Sequence, residues 1–178
     1  MNKQFEHFSI SSLDTNNYES FFNLIYSNRE RLEDFFAGTV SKTKTLNDTE
    51  QYCNIIAQKI NDKSYFPFII TSLKSNAYIG LIDVKNIDWN VPKAELGYFI
   101  DANYEGQGIS SLALSFIVDY LIEKYQFKKL LCRVSSLNEG SIGVALKNGF
   151  QLEGTIRNDY RTTRGDIVDL NYYGRVFK

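Results

Sequence analysis

The stretch that decides the fold is residues 94–111, AELGYFIDANYEGQGISS. Residues 94–100 are apolar and β-prone, which predicts a strand, and a loop with Gly106 and Gly108 then leads into a helix with apolar spacing over 109–121. The first N–H groups of a helix lack partners and lie at the positive end of its dipole, and glycine lets an anion approach them. The loop therefore predicts an anion site, although from the two glycines alone a plain tight turn explains it equally well.

The segments on either side alternate between helical and strand patterns. Before the loop we expect a strand at 5–10, a helix at 15–28 capped by Asp14, a helical piece at 29–36, a helix capped by Asn47 or Asp48, and strands at 66–73 and 77–84. After it we expect a strand at 129–134 parallel to the strand at 94–100, a helix at 138–148 closed by Gly149, and strands at 150–157 and 167–177. This order predicts an α+β fold.

Composition narrows the classes of protein that the chain can belong to. The chain has 178 residues, 2 prolines and a net charge of −1, so we expect one domain over residues 1–178 and no direct nucleic-acid binding. Two widely spaced cysteines and the lack of a long apolar run predict a cytoplasmic protein with free thiols, no membrane segment and no metal site. The single histidine, His7, makes a Ser-His-Asp hydrolase improbable.

Three blocks in order carry a resemblance to a known family. They are residues 94–100 with 105–109; then Asn138, Ser141, Val144, Lys147, Gly149-Phe150 and Glu153-Gly154; and, more weakly, Arg157, Gly165, Asp169 and Tyr172-Tyr173. Together they resemble the GNAT acetyltransferases, and more narrowly their RimJ/RimL branch, the ribosomal-protein N-acetyltransferases. The resemblance covers roughly residues 94–173.

The resemblance implies the GNAT fold: a mixed, mostly antiparallel sheet of about seven strands that is splayed in the middle, with helices on both faces. It also implies acetyl-CoA as co-substrate, no metal, and the possibility of a homodimer. The residues that would bind the coenzyme are Tyr98, Phe99, Ile100, Gly106, Gln107, Gly108, Ile109, Ser110, Ser111, Asn138 and Lys147.

The loop departs from the family pattern at two positions. Glu105 stands where the family commonly has Gln or Arg, and Ser110 where it has Gly or Ala. A carboxylate beside a pyrophosphate weakens binding if it points inward, so we expect Glu105 to point to solvent. Ser110 is small enough to preserve the close approach.

Two residues are candidates for the chemistry of acetyl transfer to an amine. Glu95, on the strand that flanks the thioester, is the candidate base, directly or through water, and Ser141 is the candidate proton donor to the leaving thiolate. Each also has a structural explanation. Glu95 is then a strand residue paired with a Lys or Arg, and Ser141 satisfies free amides in the first turn of a helix.

Other residues near the site are explained by structure as well as by function. Asn138 is an N-cap that in the family also reaches the coenzyme, and the helix dipole alone accounts for Lys147. Cys132 is expected to be a buried core thiol without a covalent role. Four aromatic residues, Trp89, Tyr98, Tyr104 and Tyr160, are candidates for the acceptor pocket, and core packing explains each of them at least as well.

The acceptor amine stays open at this stage. The branch resemblance implies the α-amino group of a protein, such as a ribosomal protein. A small amine (a polyamine, an amino acid or an antibiotic) is the second possibility, and a polyamine pocket should be acidic whereas a peptide needs an open groove. The third is a non-catalytic acyl-CoA-binding sensor.

Overall fold

The chain forms one eight-stranded sheet with helices on both faces, and the computed structural model describes residues 1–178. The strands are β1 (Asn2–Phe5), β2 (Phe8–Ser12), β3 (Phe66–Ser72), β4 (Tyr78–Asp88), β5 (Lys93–Ile100), β6 (Lys129–Ser135), β7 (Gln151–Arg161) and β8 (Ile167–Val176). The helices are α1 (Tyr18–Ser27), α2 (Arg29–Leu32), α3 (Ala37–Ser41), α4 (Leu46–Asn61), α5 (Ile109–Tyr125) and α6 (Glu139–Lys147). A 3₁₀ turn spans Ala102–Tyr104.

The strand order is β1-β2-β3-β4-β5-β6-β8-β7, and β5–β6 is the only parallel pair. The predicted α+β class with a mixed, mostly antiparallel sheet is therefore confirmed. A single domain over residues 1–178 stays a prediction.

Two apolar clusters lie on opposite faces of the sheet, because alternate strand residues point to opposite sides. Ile70 and Ile82 pack with α5 in the larger cluster, whereas their neighbours Ile69 and Leu81 pack with α1 and α4 in the smaller one. The long helix α5 thus covers one face and the N-terminal helices cover the other.

The sheet opens in its middle. β5 pairs with β6 only through Lys93–Lys129, Ala94–Leu130 and Glu95–Leu131, although both strands continue for several residues. Beyond Glu95, β5 pairs only with β4 and β6 only with β8. The predicted splay is present, and it leaves strand edges with unpaired backbone groups facing a gap.

The N-terminal region differs most from the sequence-based predictions. The single strand expected at 5–10 is wrong: Glu6 takes a positive φ of 48° and turns the chain into the β1–β2 hairpin, so the sheet has eight strands rather than about seven. The predicted helical piece at 29–36 ends earlier, at Leu32, and α3, which was not predicted, follows it.

Two predicted helix caps are wrong, because in each case another residue nearby caps the helix. Asp14 accepts from the amide of Asn16 and so makes a turn, while Asn17 caps α1 by accepting from Ser20. The next long helix, α4, is capped by Thr45, which exchanges hydrogen bonds with Asp48 in a capping box.

Candidate active site

A cleft runs along the gap between β5 and β6 and passes the start of α5 and of α6. Most of the predicted site residues line it, namely Tyr98, Phe99, Ile100, Gly106, Gly108, Ile109, Ser110, Ser111, Asn138, Ser141 and Lys147. Gln107 does not line the cleft; its side-chain amide donates to the carbonyl of Asn103 at 3.3 Å. The fold thus gathers residues from the first two of the three sequence blocks along one surface, and none of the third block lines the cleft.

The coenzyme loop, which we define as residues 104–111, presents a row of free amides. Gly106 and Gly108 take φ of 73° and 77°, a conformation that favours glycine, and Gly108 caps α5. The backbone N–H groups of residues 106–111 donate to no backbone carbonyl, and the first turn of α5 carries no acidic side chain. These donors fit a pyrophosphate at the helix N-terminus.

Glu105 does not simply point to solvent as expected. Its half-exposed carboxylate forms an ion pair with Arg31 of α2. Arg31 also lines the cleft. The negative charge beside the loop is therefore balanced by a cation from a distant part of the sequence, which the motif comparison alone did not reveal.

Ser141 is held by its backbone, and its hydroxyl makes no hydrogen bond within the protein. The amide of Ser141 donates to Asn138 Oδ1 at 2.9 Å, which caps α6, and its carbonyl accepts from the Tyr98 hydroxyl at 2.6 Å. The structural explanation given for Ser141 is therefore not observed, because Asn138 satisfies the amide of the first turn. The hydroxyl stays available to a bound molecule.

Glu95 lines a smaller pocket that is continuous with the cleft, since the two share Tyr98, Asn138 and Ser141 among other residues. Its side chain is 9% exposed. Oε2 accepts from Asn86 Nδ2 at 2.8 Å and lies 3.0 Å from Arg133 Nε, and Oε1 lies 4.0 Å from Lys85 Nζ. Glu95 is thus a fixed, paired carboxylate facing the pocket.

Two cations that the sequence did not single out, Arg133 and Lys85, hold this carboxylate. Arg133 Nε faces Glu95 as an ion pair without a well-aligned hydrogen bond, and Nη1 lies 3.5 Å from Asp159. Burial disfavours the charged guanidinium, but Glu95 and, to a smaller extent, Tyr172 together outweigh this and raise the pKa of Arg133. The predicted parallel pairing of 94–100 with 129–134 brings the two strands together but does not give their register, so it did not single out Arg133.

Gly97 makes room for this charge network. A Cβ at position 97 would overlap Asp83 Oδ1 and lie 2.9 Å from Lys85 Nζ. Lys85 Nζ lies 3.4 Å from Asp83 Oδ1 as well as 4.0 Å from Glu95. The glycine therefore lets β4 and β5 place their charged side chains on the same face as Glu95.

Two distant segments meet above the pocket. The N-terminal arm, which we define as residues 29–36, contributes Phe35, whose ring stacks on Tyr160 of β7 with centroids 5.6 Å apart. Beside this stack, Asp34 accepts from Thr163 Oγ1 at 3.1 Å and faces Arg164 Nε at 3.7 Å. Phe35, Thr163 and Arg164 are exposed and their partners Tyr160 and Asp34 are half-buried, so the bonds of Asp34 cost little to separate.

Three of the four candidate aromatic residues line the site. Tyr98 and Tyr160 line the pocket, and Tyr104 lines the cleft. Trp89 lies elsewhere, because its ring stacks on Phe127 at 5.2 Å and its N–H donates to the carbonyl of Lys63. Its candidacy for the acceptor pocket is therefore wrong.

The remaining candidates lie where core packing and the helix dipole put them. Cys132 is buried, and its burial together with the nearby Glu95 carboxylate raises the pKa of the thiol, which opposes a thiolate nucleophile. Lys147 is exposed in the last turn of α6 at the edge of the cleft. The structure has no group of three or more His, Cys, Asp or Glu side chains placed to hold a metal, and no helix that is both long and apolar enough to span a bilayer.

The chain matches the protein-family model described as an acetyltransferase (GNAT) domain over residues 9–151. The chain is 32% identical to the ribosomal-protein-serine acetyltransferase of Escherichia coli (strain K12) over 58% of this chain and 57% of that protein. It is 29% identical, over 94% of this chain and 90% of the relative, to YdaF of Bacillus subtilis (strain 168), which is named provisionally as a ribosomal N-acetyltransferase.

The fold also matches solved structures over nearly its whole length. The ribosomal-protein-S5-alanine acetyltransferase of Vibrio fischeri superimposes with a TM-score of 0.90, covering 99% of this chain and 96% of that one, at 18% identity. At that identity the likeness establishes the fold and leaves the acceptor open. The splayed sheet and the cleft thus belong to an architecture that other proteins share.

Proposed function

The chain belongs to the GNAT acetyltransferase family, and from that premise we propose that its acceptor is the N-terminal α-amino group of a protein, with a ribosomal protein as the first candidate. Family membership confirms the predicted enzyme class, an acetyl-CoA-dependent acyltransferase, and the RimJ/RimL resemblance. The relatives named for ribosomal proteins support the choice of acceptor. A homodimer stays a prediction.

The charge of the pocket is the observation that carries the choice of acceptor. Its charged lining residues are two cations, Lys85 and Arg133, and one acid, Glu95. A polyamine is a polycation and needs an acidic lining, so this pocket disfavours it. A peptide N-terminus brings a single amine, which Glu95 can face, while Asp83 and Asp159 already pair with the two cations.

Entry of a peptide fits the exposed contacts above the pocket. The stack of Phe35 on Tyr160 and the bonds of Asp34 join two surface segments and not two parts of the core. An extended N-terminus can separate them at small cost. We expect the N-terminal arm to contact the first residues of the acceptor.

In this proposal acetyl-CoA supplies the acetyl group as a thioester, and the amine attacks it directly in a ternary complex. Glu95 accepts a proton from the incoming ammonium, directly or through water, because neutral amine is the nucleophile. Its Oε1 is the freer of its two oxygens, since Asn86 and Arg133 engage Oε2.

Ser141 donates a proton to the leaving thiolate in the same proposal, and its oxygen takes up the second proton that the amine nitrogen loses as the amide forms, so the hydroxyl is restored. Its hydroxyl is unbonded, while its backbone is fixed from both sides by Asn138 and Tyr98. A donor that is already positioned needs no reorganisation at the moment of reaction. The free amides of the coenzyme loop are proposed to bind the pyrophosphate, as the sequence predicted.

Acetylation of a matched acceptor panel tests this proposal. The purified chain is incubated with acetyl-CoA and peptides that begin with Ser or Ala, with the same peptides blocked at the N-terminus, and with spermidine. We expect thiol release and a mass increase of one acetyl group on the free N-termini alone. Acetylation of spermidine but of no peptide would contradict the proposal, and binding of acetyl-CoA without turnover on any acceptor would favour the sensor.

A further inference from the structure

The guanidinium of Arg31 lies at the edge of the cleft beside the coenzyme loop. It forms an ion pair with Glu105, the first residue before the two glycines of the loop, and it lines the same cleft as Gly106, Gly108 and Ser110. The Arg31 side chain is 43% exposed, so a molecule in the cleft can reach it. A cation from the N-terminal arm therefore lies beside the amides that suit a pyrophosphate.

The arginine is held in place from the protein side. Its Nη1 donates to Asn28 Oδ1 at 3.1 Å and to the carbonyl of Ile100 at 3.4 Å. Asn28 is 2% exposed and is itself fixed, since its Nδ2 donates to Asp101 Oδ2 at 2.8 Å. Guanidinium groups have five N–H donors, so these bonds leave others for a ligand.

The charges explain why such an arrangement is useful. Glu105 alone would repel a pyrophosphate in the adjacent loop, and the amides of the loop carry only partial charge. An ion pair with Arg31 cancels that repulsion. Because both partners are substantially exposed, their bond is weak and can exchange for a bond to phosphate.

We propose that Arg31 binds a phosphate group of the coenzyme, and that Glu105 holds its guanidinium at the coenzyme loop and competes with that phosphate. Arg31 is then a coenzyme-binding residue supplied by the N-terminal arm, and Glu105 limits the affinity. The proposal rests on the coenzyme of the family and not on which amine is the acceptor, so a failure of the acceptor panel leaves it intact.

Calorimetric titration with coenzyme A tests it without turnover. Arg31→Gln keeps a side chain that can donate hydrogen bonds but removes the charge, and we expect the Kd to rise about tenfold. Lys74→Ala, which removes an exposed charge from the β3–β4 turn, is the matched control and should leave the Kd unchanged. Thermal unfolding of the ligand-free proteins checks that neither change disturbs the fold.

The direction in which Glu105→Gln changes the Kd of coenzyme A distinguishes this proposal from an ion pair that only shapes the loop. We expect the Kd of coenzyme A to fall about threefold, because Arg31 no longer has a competing partner. The loss caused by Arg31→Gln should then be larger in the Glu105→Gln background than in the original chain, whereas an arginine that only screens Glu105 would matter less once Glu105 is neutral. If the ion pair only shapes the loop, Glu105→Gln binds coenzyme A as tightly as the original chain or more weakly, and that result overturns the proposal.

Dephospho-coenzyme A identifies which phosphate Arg31 meets. If Arg31 binds the pyrophosphate, Arg31→Gln weakens dephospho-coenzyme A by the same factor as coenzyme A. If it binds the 3′-phosphate, only coenzyme A is affected. Equal affinities of Arg31→Gln and the original chain for both compounds would overturn the proposal.

Discussion

At the scale of the residue, the strongest test concerns Glu95 and Ser141, which line the same pocket and are proposed to move different protons. Glu95→Gln removes the proposed base, so we expect kcat to fall about 100-fold. Ser141→Ala removes the unbonded hydroxyl, and we expect kcat to fall about tenfold. In both variants the Kd of acetyl-CoA should change less than about twofold, as measured by titration beside steady-state kinetics.

The control for Glu95 is its partner Arg133, because a buried ion pair also stabilises the fold. Glu95→Gln leaves the Arg133 guanidinium without its nearest carboxylate. Arg133→Gln breaks the same pair but keeps the proposed base. If Arg133→Gln and Glu95→Gln lower kcat by equal factors, the carboxylate acts only through the ion pair. For Ser141, equal losses in kcat and coenzyme affinity would make it a binding residue.

Single residues also show how much of the candidate site can be predicted from the sequence. The motif blocks identified residues that line one cleft, from Tyr98 to Lys147, because a motif records which residues meet a ligand. They did not reveal that Glu105 pairs with Arg31, or that Arg133 and Lys85 flank Glu95. Those contacts join segments distant in the sequence, and no local periodicity encodes them.

At the scale of the element, the cap of α6 gives a separable prediction for Asn138. Asn138→Ala removes the bond to the amide of Ser141, and we expect it to lower the free energy of unfolding by about 1 kcal/mol. Asn138→Asp keeps an oxygen acceptor at the cap and should keep most of that stability. Urea unfolding of the two variants measures the difference.

The coenzyme affinity of the same two variants shows whether Asn138 does more than cap the helix. If its amide also contacts the coenzyme, Asn138→Asp binds acetyl-CoA more weakly while remaining as stable as the original chain. If Asn138→Asp matches the original chain in both stability and acetyl-CoA affinity, Asn138 acts only as the helix cap. If Asn138→Ala leaves the free energy of unfolding unchanged, the observed hydrogen bond from the amide of Ser141 does not stabilise the fold.

Helices and strands were predicted correctly where one sequence pattern dominates, and they were missed where two sequence patterns compete. The apolar spacing of α5 and the glycine at its start agree, so its start was predicted within one residue. The chain at 5–10 carries the β-prone residues Phe5, Phe8 and Ile10, but Glu6 adopts a left-handed conformation and splits it into β1 and β2. Four polar residues follow one another at 14–17 before α1, and several of them can form a turn or a cap, so the sequence alone does not choose Asn17 over Asp14.

At the scale of the whole molecule, the splayed sheet was expected only through the family resemblance. Strand periodicity predicts that 94–100 and 129–134 are strands and says nothing about where their pairing ends. In the structure the pairing stops at Glu95, which is the residue that turns its carboxylate toward Arg133 and the pocket. Sheet geometry and candidate chemistry therefore coincide at one position.

The last prediction concerns the stability of the whole fold in alkali. Burial, and then the Asp14 carboxylate, raise the pKa of Cys53 from 9.0 to about 11. Burial raises the pKa of Cys132 also. Between about pH 9 and 11 the unfolded chain loses thiol protons that the folded chain keeps, so the free energy of unfolding falls as pH rises, by up to about 1.4 kcal/mol per pH unit for each thiol. Below about pH 8 these thiols contribute no slope.

Urea unfolding at about pH 7.5, 8.5 and 9.5 measures this slope, with Cys53→Ala as the comparison. Replacing Cys53 removes one titrating thiol, so the free energy of unfolding should fall less steeply between the two alkaline points, whatever the variant loses at neutral pH. The buried Tyr52 and Tyr98 hydroxyls, whose pKa values burial also raises, account for the slope that begins at higher pH. An identical slope in Cys53→Ala would mean that Cys53 reaches water in the folded state, contrary to its 1% exposure on α4 in the smaller apolar cluster.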